Sequence, residues 1–237
     1  MTGVQTCALP ISTAKSGFTT DNWTALTITG ATLLAGATDP DTSDLLTVSS
    51  VQAATGGTVA LSAGSAVFTP TVTAGAGTGS FTYTISDGKG GTSTSTAALT
   101  ISLHQTNGTT AADTITGTAG KPAQINGLGG NDTLKAGSGG DTLVGGAGND
   151  ILTGSTGIDT FVYQAGFGLD TINAFTATGT THDVLRIDKT LFADWAHLLG
   201  ATKQVGTDLV ITCDATYTVT LKNVALANFT SSDATFV

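Results

Sequence analysis

Four aspartates, Asp132, Asp141, Asp150 and Asp159, recur every nine residues in the run GLGGNDTLKAGSGGDTLVGGAGNDILTGSTGIDTF, residues 127–161. Carboxylates set in glycine suit cation binding. Glycine visits backbone angles barred to residues with a Cβ, so a glycine loop can curl its carbonyl oxygens inward beside an acid. An oxygen-only, multidentate and flexible ligand set fits calcium far better than zinc or copper. No catalytic constellation competes with that reading. The chain has no H-E-x-x-H and no G-x-S-x-G, and His104, His182 and His197 are far apart. Gly88-Lys89 runs into Gly90 and Gly120-Lys121 into Pro122, which excludes a phosphate-binding P-loop. Cys7 and Cys213 lack zinc-like spacing, and Cys213 reads as a small buried apolar residue.

The blocks starting at Gly127, Ala136, Gly145 and Gly154 fit the template G-G-x-G-x-D-x-U-x, with Leu134, Leu143, Leu152 and Phe161 at the large apolar position U. This pattern resembles the hemolysin-type RTX calcium-binding repeat. The resemblance implies a parallel β-roll in which six residues of each block form a loop and three a short strand. Two blocks make one turn, so Asp132 lies above Asp150 on one edge and Asp141 above Asp159 on the other. It nominates as calcium ligands those four acids, with Gly127, Gly129, Gly130, Asn131, Gly137, Gly139, Gly145, Gly146, Gly148, Asn149, Gly154 and Gly157 supplying the loops. Asp113 and Asp170 extend the set at its two ends. Upstream, GTTAADTI is a degenerate copy, and GTAGKPAQI carries Pro122-Ala123 where an Asp is expected, implying a weakened or metal-free turn. Stacked carboxylates 4–5 Å apart would repel by roughly 3–4 kcal/mol at an effective dielectric near 20, so such a roll should depend on its ion.

The rest of the composition fits a β-rich folding chain. Hydrophobic residues make up 40% and charged residues 11%, all seventeen acids are Asp, and there are 32 glycines. A formal charge of −9 argues against nucleic acid and favours cations. No apolar run is long enough to span a membrane as a helix. Between Asn22 and Leu103 the segments TALTITGATLLA, DLLTVSSV, GTVALS, AVFTPTV, SFTYTISDG and STAALTISL read as short strands separated by turns, which suggests a β-sandwich. Phe81, Tyr83 and Ile85 should share one face. LLAGATDPDTSDLLTV and SFTYTISDGKGGTSTSTAALTIS resemble bacterial cadherin-like and VCBS-type repeats. That family nominates Asp39, Asp41 and Asp87 for calcium, although Asp39-Pro40-Asp41 and Asp87-Gly88 are also good turns, and Gly36-Ala37 stands where the family often has Asn-Asp.

GIDTFVYQAGFGLDTINAF resembles the exit from an RTX array. A helix is expected over TLFADWAHLLG, capped by Thr190 and ended by Gly200, with Leu191, Phe192, Trp195, Leu198 and Leu199 on one face and His197 solvated. Strands DLVITCD and TYTVTLKNV follow, and the tail ANFTSSDATFV resembles an uncleaved type I secretion signal. Residues 1–11, MTGVQTCALPI, resemble a translated sequencing adapter. On that reading Cys7 is not natural and the chain is the C-terminal piece of a longer protein. The expected organisation is all-β: 1–11 extraneous, 12–104 a cadherin-like sandwich, 105–175 the roll, and 176–237 a cap with the secretion signal. The function expected is that of a secreted or cell-surface bacterial adhesin-type fragment, not itself an enzyme. Its partners would be calcium ions, the type I secretion machinery and cell-surface or matrix ligands. The alternative is the calcium-binding tail of an extracellular protease, lipase or epimerase.

Overall fold

Residues 8–71 and 76–237 are described here in a computed structural model. Cys7, and Val72 at the end of the fourth expected strand, lie outside the described residues. The chain divides into two units, Met1–Leu103 and His104–Val237.

The N-terminal unit holds β1 (Lys15–Asp21), β2 (Leu26–Ile28), α1 (Gly30–Leu34), β3 (Thr47–Thr55), β4 (Gly57–Ser62), β5 (Ser65–Pro70), β6 (Gly77–Ser86) and β7 (Thr92–Ser102). One sheet runs β1-β7-β6-β3 and the other β2-β5-β4. They enclose one core, where Phe68 of the smaller sheet stacks on Phe81 of the larger, ring centroids 6.3 Å apart. Phe81, Tyr83 and Ile85 all face inward, as their alternation requires. The Tyr83 hydroxyl donates to the Thr13 carbonyl at 2.7 Å, so the ring is buried without an unmet polar group. One local reading is corrected, and one strand lies outside the segments read from the sequence. ATLLA, expected to continue a strand, is the helix α1: the Thr29 hydroxyl accepts from Thr32 N–H at 3.2 Å and Leu33 fills the core. KSGFTTD, lacking apolar alternation, is the strand β1, laid parallel to β7.

The C-terminal unit begins with β8 (His104–Asn107), β9 (Thr114–Thr116), β10 (Ala123–Gly129), β11 (Thr133–Lys135), β12 (Thr142–Ala147), β13 (Ile151–Thr153), β14 (Thr160–Tyr163), β15 (Leu169–Asn173) and β16 (Val184–Ile187). It continues through α2 (Trp195–Gly200), β17 (Thr202–Val205), β18 (Asp208–Thr212), β19 (Thr218–Leu221) and β20 (Ala234–Phe236). Successive strands from β8 to β16 alternate between a six-stranded sheet, β20-β16-β14-β12-β10-β8, and a seven-stranded one, β17-β18-β19-β15-β13-β11-β9. Pairing is parallel throughout except among β17, β18 and β19. The chain therefore winds as a flattened parallel roll. Leu134 pairs with Leu152 and Leu143 with Phe161, which stacks the apolar U positions into a thin core.

Helix α2 is shorter than expected, and Asp194 caps it by accepting His197 N–H at 3.0 Å. Thr190 instead binds the Asp188 carboxylate through its N–H and hydroxyl. Leu198 is buried, Leu191, Phe192 and Trp195 pack partly against the core, and Leu199 faces solvent. The C-terminal tail belongs to the roll: β20 pairs parallel with β16, and Phe229, Asp233 and Ala234 are buried.

Candidate metal centre

Each turn of the roll carries an aspartate at the end of its loop, and these aspartates are hydrogen-bonded into two ladders. On edge one, Asp132 Oδ1 accepts the Asp113 N–H at 2.8 Å, Asp150 Oδ1 accepts the Asp132 N–H at 2.8 Å, and Asp170 Oδ1 accepts the Asp150 N–H at 3.0 Å. On edge two the same bond joins Ala123 to Asp141, Asp141 to Asp159 and Asp159 to Asp183, at 2.8, 2.9 and 2.8 Å. The repeat of eighteen residues gives way to twenty at Asp170 and twenty-four at Asp183. Asp183 was not singled out in the sequence because the insertion before it breaks the nine-residue phase. The surviving cue is the triplet Asp183-Val184-Leu185, an Asp two residues before an inward apolar side chain.

Asp132, Asp141, Asp150, Asp159, Asp170 and Asp183 are all essentially buried. Burial raises the carboxyls of Asp141, Asp150 and Asp159 above the usual range despite their hydrogen bonds. It pushes Asp170 up to about 7, with the neighbouring Asp150 charge adding to it and the Asp150 N–H opposing it. Asp183 rises to about 6, again chiefly through burial. Burying ionised carboxylates without counter-charge is costly, so a roll with these acids ionised needs a cation or protons.

The second carboxylate oxygens separate the edges. On edge one, Oδ2 of Asp132 and Asp150 is buried with no hydrogen-bond partner, and the Asp170 carboxylate faces the buried Tyr163 hydroxyl. The loops that hold them are left-handed at Leu128, Gly130, Gly146 and Gly148. A Cβ on Gly127 would lie 2.1 Å from Asp132 Oδ2, and one on Gly145 would lie 2.2 Å from Asp150 Oδ2. Only glycine leaves room beside these oxygens. Asn131 and Asn149 build a second ladder there: Asn131 Oδ1 accepts Asn149 N–H and Asn149 Oδ1 accepts Leu169 N–H, each at 2.9 Å. On edge two, Gly137 N–H donates to Asp141 Oδ2 at 2.7 Å, Ser155 N–H to Asp159 Oδ2 at 2.7 Å, and Thr176 N–H to Asp183 Oδ2 at 2.8 Å. Asp113 Oδ2 is likewise filled, by Thr109.

Edge one therefore fits a calcium ion. It offers unpartnered anionic oxygens, glycine loops and no nitrogen or sulfur ligand. Among the described residues no three His, Cys, Asp or Glu side chains converge as a cluster, so backbone oxygens would have to complete any coordination shell.

In the N-terminal unit Asp41 and Asp87 line one open cavity of about 700 Å³ together with Asp44. Asp39 Oδ1 accepts Asp41 N–H at 2.8 Å, and Asp87 Oδ1 accepts Lys89 and Gly91 N–H at 2.7 and 2.9 Å, the bonds of Asp-led turns. Cys213 is half-buried, His182 pairs with Asp233 at 3.0 Å, and the exposed His197 pairs with Asp194 at 2.8 Å. No helix among the described residues is long and apolar enough to cross a membrane.

No curated protein matches this chain. Among solved structures, the extracellular lipase LipA from Serratia marcescens is similar over 66% of this chain and 29% of its own, with 22% identity and a TM-score of 0.48. A subunit of the Azotobacter vinelandii mannuronan C5-epimerase is similar over 56% of this chain and 92% of its own, with 27% identity and a TM-score of 0.42. The chain thus spans under a third of the lipase's length. Residues 8–102 match the cadherin-like domain family, and residues 126–161 match four copies of the RTX calcium-binding nonapeptide repeat, so the chain carries a cadherin-like domain followed by RTX calcium-binding repeats.

Proposed function

We propose that this chain is an extracellular structural fragment of adhesin type, whose roll folds on meeting calcium after type I export and whose cadherin-like unit serves as spacer or contact module. The observation that carries the reading is the pair of buried, unpartnered carboxylate oxygens on the stacked Asp132 and Asp150. Bound calcium would supply positive charge at those atoms. Asp132 and Asp150 would hold it through Oδ2, while the Oδ1 atoms of Asp132, Asp150 and Asp170 keep the rungs in register. Gly127 and Gly145 keep space beside the oxygens.

With a dissociation constant near 10⁻⁴ M, typical of extracellular modules, each site adds about 1.4 kcal/mol at millimolar calcium and almost nothing at submicromolar calcium. Over a few sites that swing is a large part of a small domain's stability. The unfolded chain can then be threaded through an export channel, while outside the cell the roll closes. The tail supports the same order of events. Phe229 and Ala234 are buried in the folded unit, so a signal in ANFTSSDATFV is readable only before folding. RTX repeats joined to a cadherin-like domain are typical of secreted or cell-surface bacterial proteins, which supports an extracellular location.

Hydrogen exchange on the full chain at pH 8, where the buried acids are ionised, in chelator and in millimolar calcium tests this. Amides of β10 to β16 should gain protection only with calcium, while those of β6 and β7 stay protected in both. Equal protection of the roll in chelator would refute it.

A further inference from the structure

Taking calcium binding by the roll as its premise, we infer that the metal row is one-sided: calcium fills edge one alone, and edge two is a metal-independent seam closed by the chain's own N–H groups. Three independent features separate the edges. Both carboxylate oxygens of Asp141, Asp159 and Asp183 carry a backbone N–H donor, whereas Asp132 and Asp150 each keep one oxygen free and Asp170 has no second N–H, only the Tyr163 hydroxyl, beside it. The Asp132 and Asp150 loops are left-handed at two positions each, Leu128 with Gly130 and Gly146 with Gly148. In the Asp141 and Asp159 loops Gly137, Gly139, Gly154 and Gly157 adopt no left-handed angle, while the longer loop before Asp183 is left-handed at Ala174 and Gly179. Edge one also carries the asparagine ladder, while the corresponding edge-two positions are Gly140 and the exposed Ile158.

Physically, an N–H aimed at a carboxylate oxygen partly replaces a cation, presenting the positive end of a dipole to the negative charge. Gly137 N–H and Ser155 N–H occupy the position a metal would need, and the Ser155 hydroxyl adds a third donor to Asp159 at 3.1 Å. A cation arriving there would meet donors instead of acceptors. The repeat letters do not announce this difference, because Gly137 and Gly146 occupy the same template position. Calcium would therefore fasten one side of the roll, and the other side would be closed by the chain's own N–H groups once the roll has folded.

The test is the number of calcium ions bound per full-length chain, by equilibrium dialysis with metal analysis. The parent should bind no more than three, the number of gaps between the stacked edge-one acids Asp113, Asp132, Asp150 and Asp170. Asp132→Asn and Asp150→Asn should each lower that number. Asp141→Asn should leave it unchanged. Should that variant fail to fold, Ser155→Ala, which keeps the N–H donor to Asp159, should also leave it unchanged. More than three ions in the parent, or a loss of ions in a folded edge-two variant, overturns the one-sided row while calcium binding itself stands. No bound calcium at all overturns the premise.

Discussion

Removing calcium and changing pH should expose the cost of the buried acids directly. Asp170 is held at about 7 in the folded unit, against about 3.8 for an exposed Asp. Between those values the folded chain binds a proton that the unfolded chain has released, so stability in chelator falls as pH rises from about 4 to 7 and levels off above. At 1.36 kcal/mol per unit, a shift of roughly three units corresponds to on the order of 4 kcal/mol for this buried group. Asp183, held at about 6, acts in the same direction from about pH 4 to 6. The Asp170 contribution alone is a large part of the stability of a typical domain. Asp170→Asn keeps an Oδ1 acceptor for the Asp150 N–H and removes the charge. Urea unfolding of the full chain in chelator, followed by far-UV circular dichroism from pH 4.5 to 8.5, gives the comparison. The parent's C-terminal unit should weaken steadily up to pH 7. The variant should exceed it by about 1.6 kcal/mol at pH 5, and by an amount of the full order at pH 8. A parent stability that is flat or rising across the window, or a variant no more stable at pH 8, would show that Asp170 is not a buried, uncompensated acid.

Other perturbations follow from the same geometry. Phe161→Ala empties a fully buried stacking position and should cost about 3–5 kcal/mol in calcium-saturated urea unfolding. Gly145→Ala places a methyl 2.2 Å from Asp150 Oδ2 and should weaken calcium binding at least tenfold in a titration, whereas Gly200→Ala, with open space around it, should not. Tyr83→Phe removes the bond to the Thr13 carbonyl and should lower the N-terminal unit's stability by about 1 kcal/mol, with no effect on calcium affinity.

The nine-residue phase made the roll legible because each block repeats both its chemistry and its register; Leu134 over Leu152 is the direct consequence. Legibility fails where the period changes, so Asp183 was missed although it closes the edge-two ladder. The difference between edges is hidden for another reason. Gly137 and Gly146 are the same residue type at the same template position, and only backbone angle and hydrogen bonding tell them apart. In the sandwich the alternation in β6 reads cleanly because one face is buried. Helix α1 does not, because ATLLA is too short for a periodic signal and the Thr29 cap decides its form. Strand β1 is an edge strand with few inward apolar residues, and so carries little pattern to read.

The most direct test of calcium-driven folding is far-UV circular dichroism of the full chain during a calcium titration at pH 8, with magnesium as control. A large gain of β signal at submillimolar to millimolar calcium, not reproduced by magnesium, is the expected result. A roll already folded in chelator and unmoved by calcium would contradict it, and the aspartate ladders would then be hydrogen-bonded seams of a metal-independent β-solenoid.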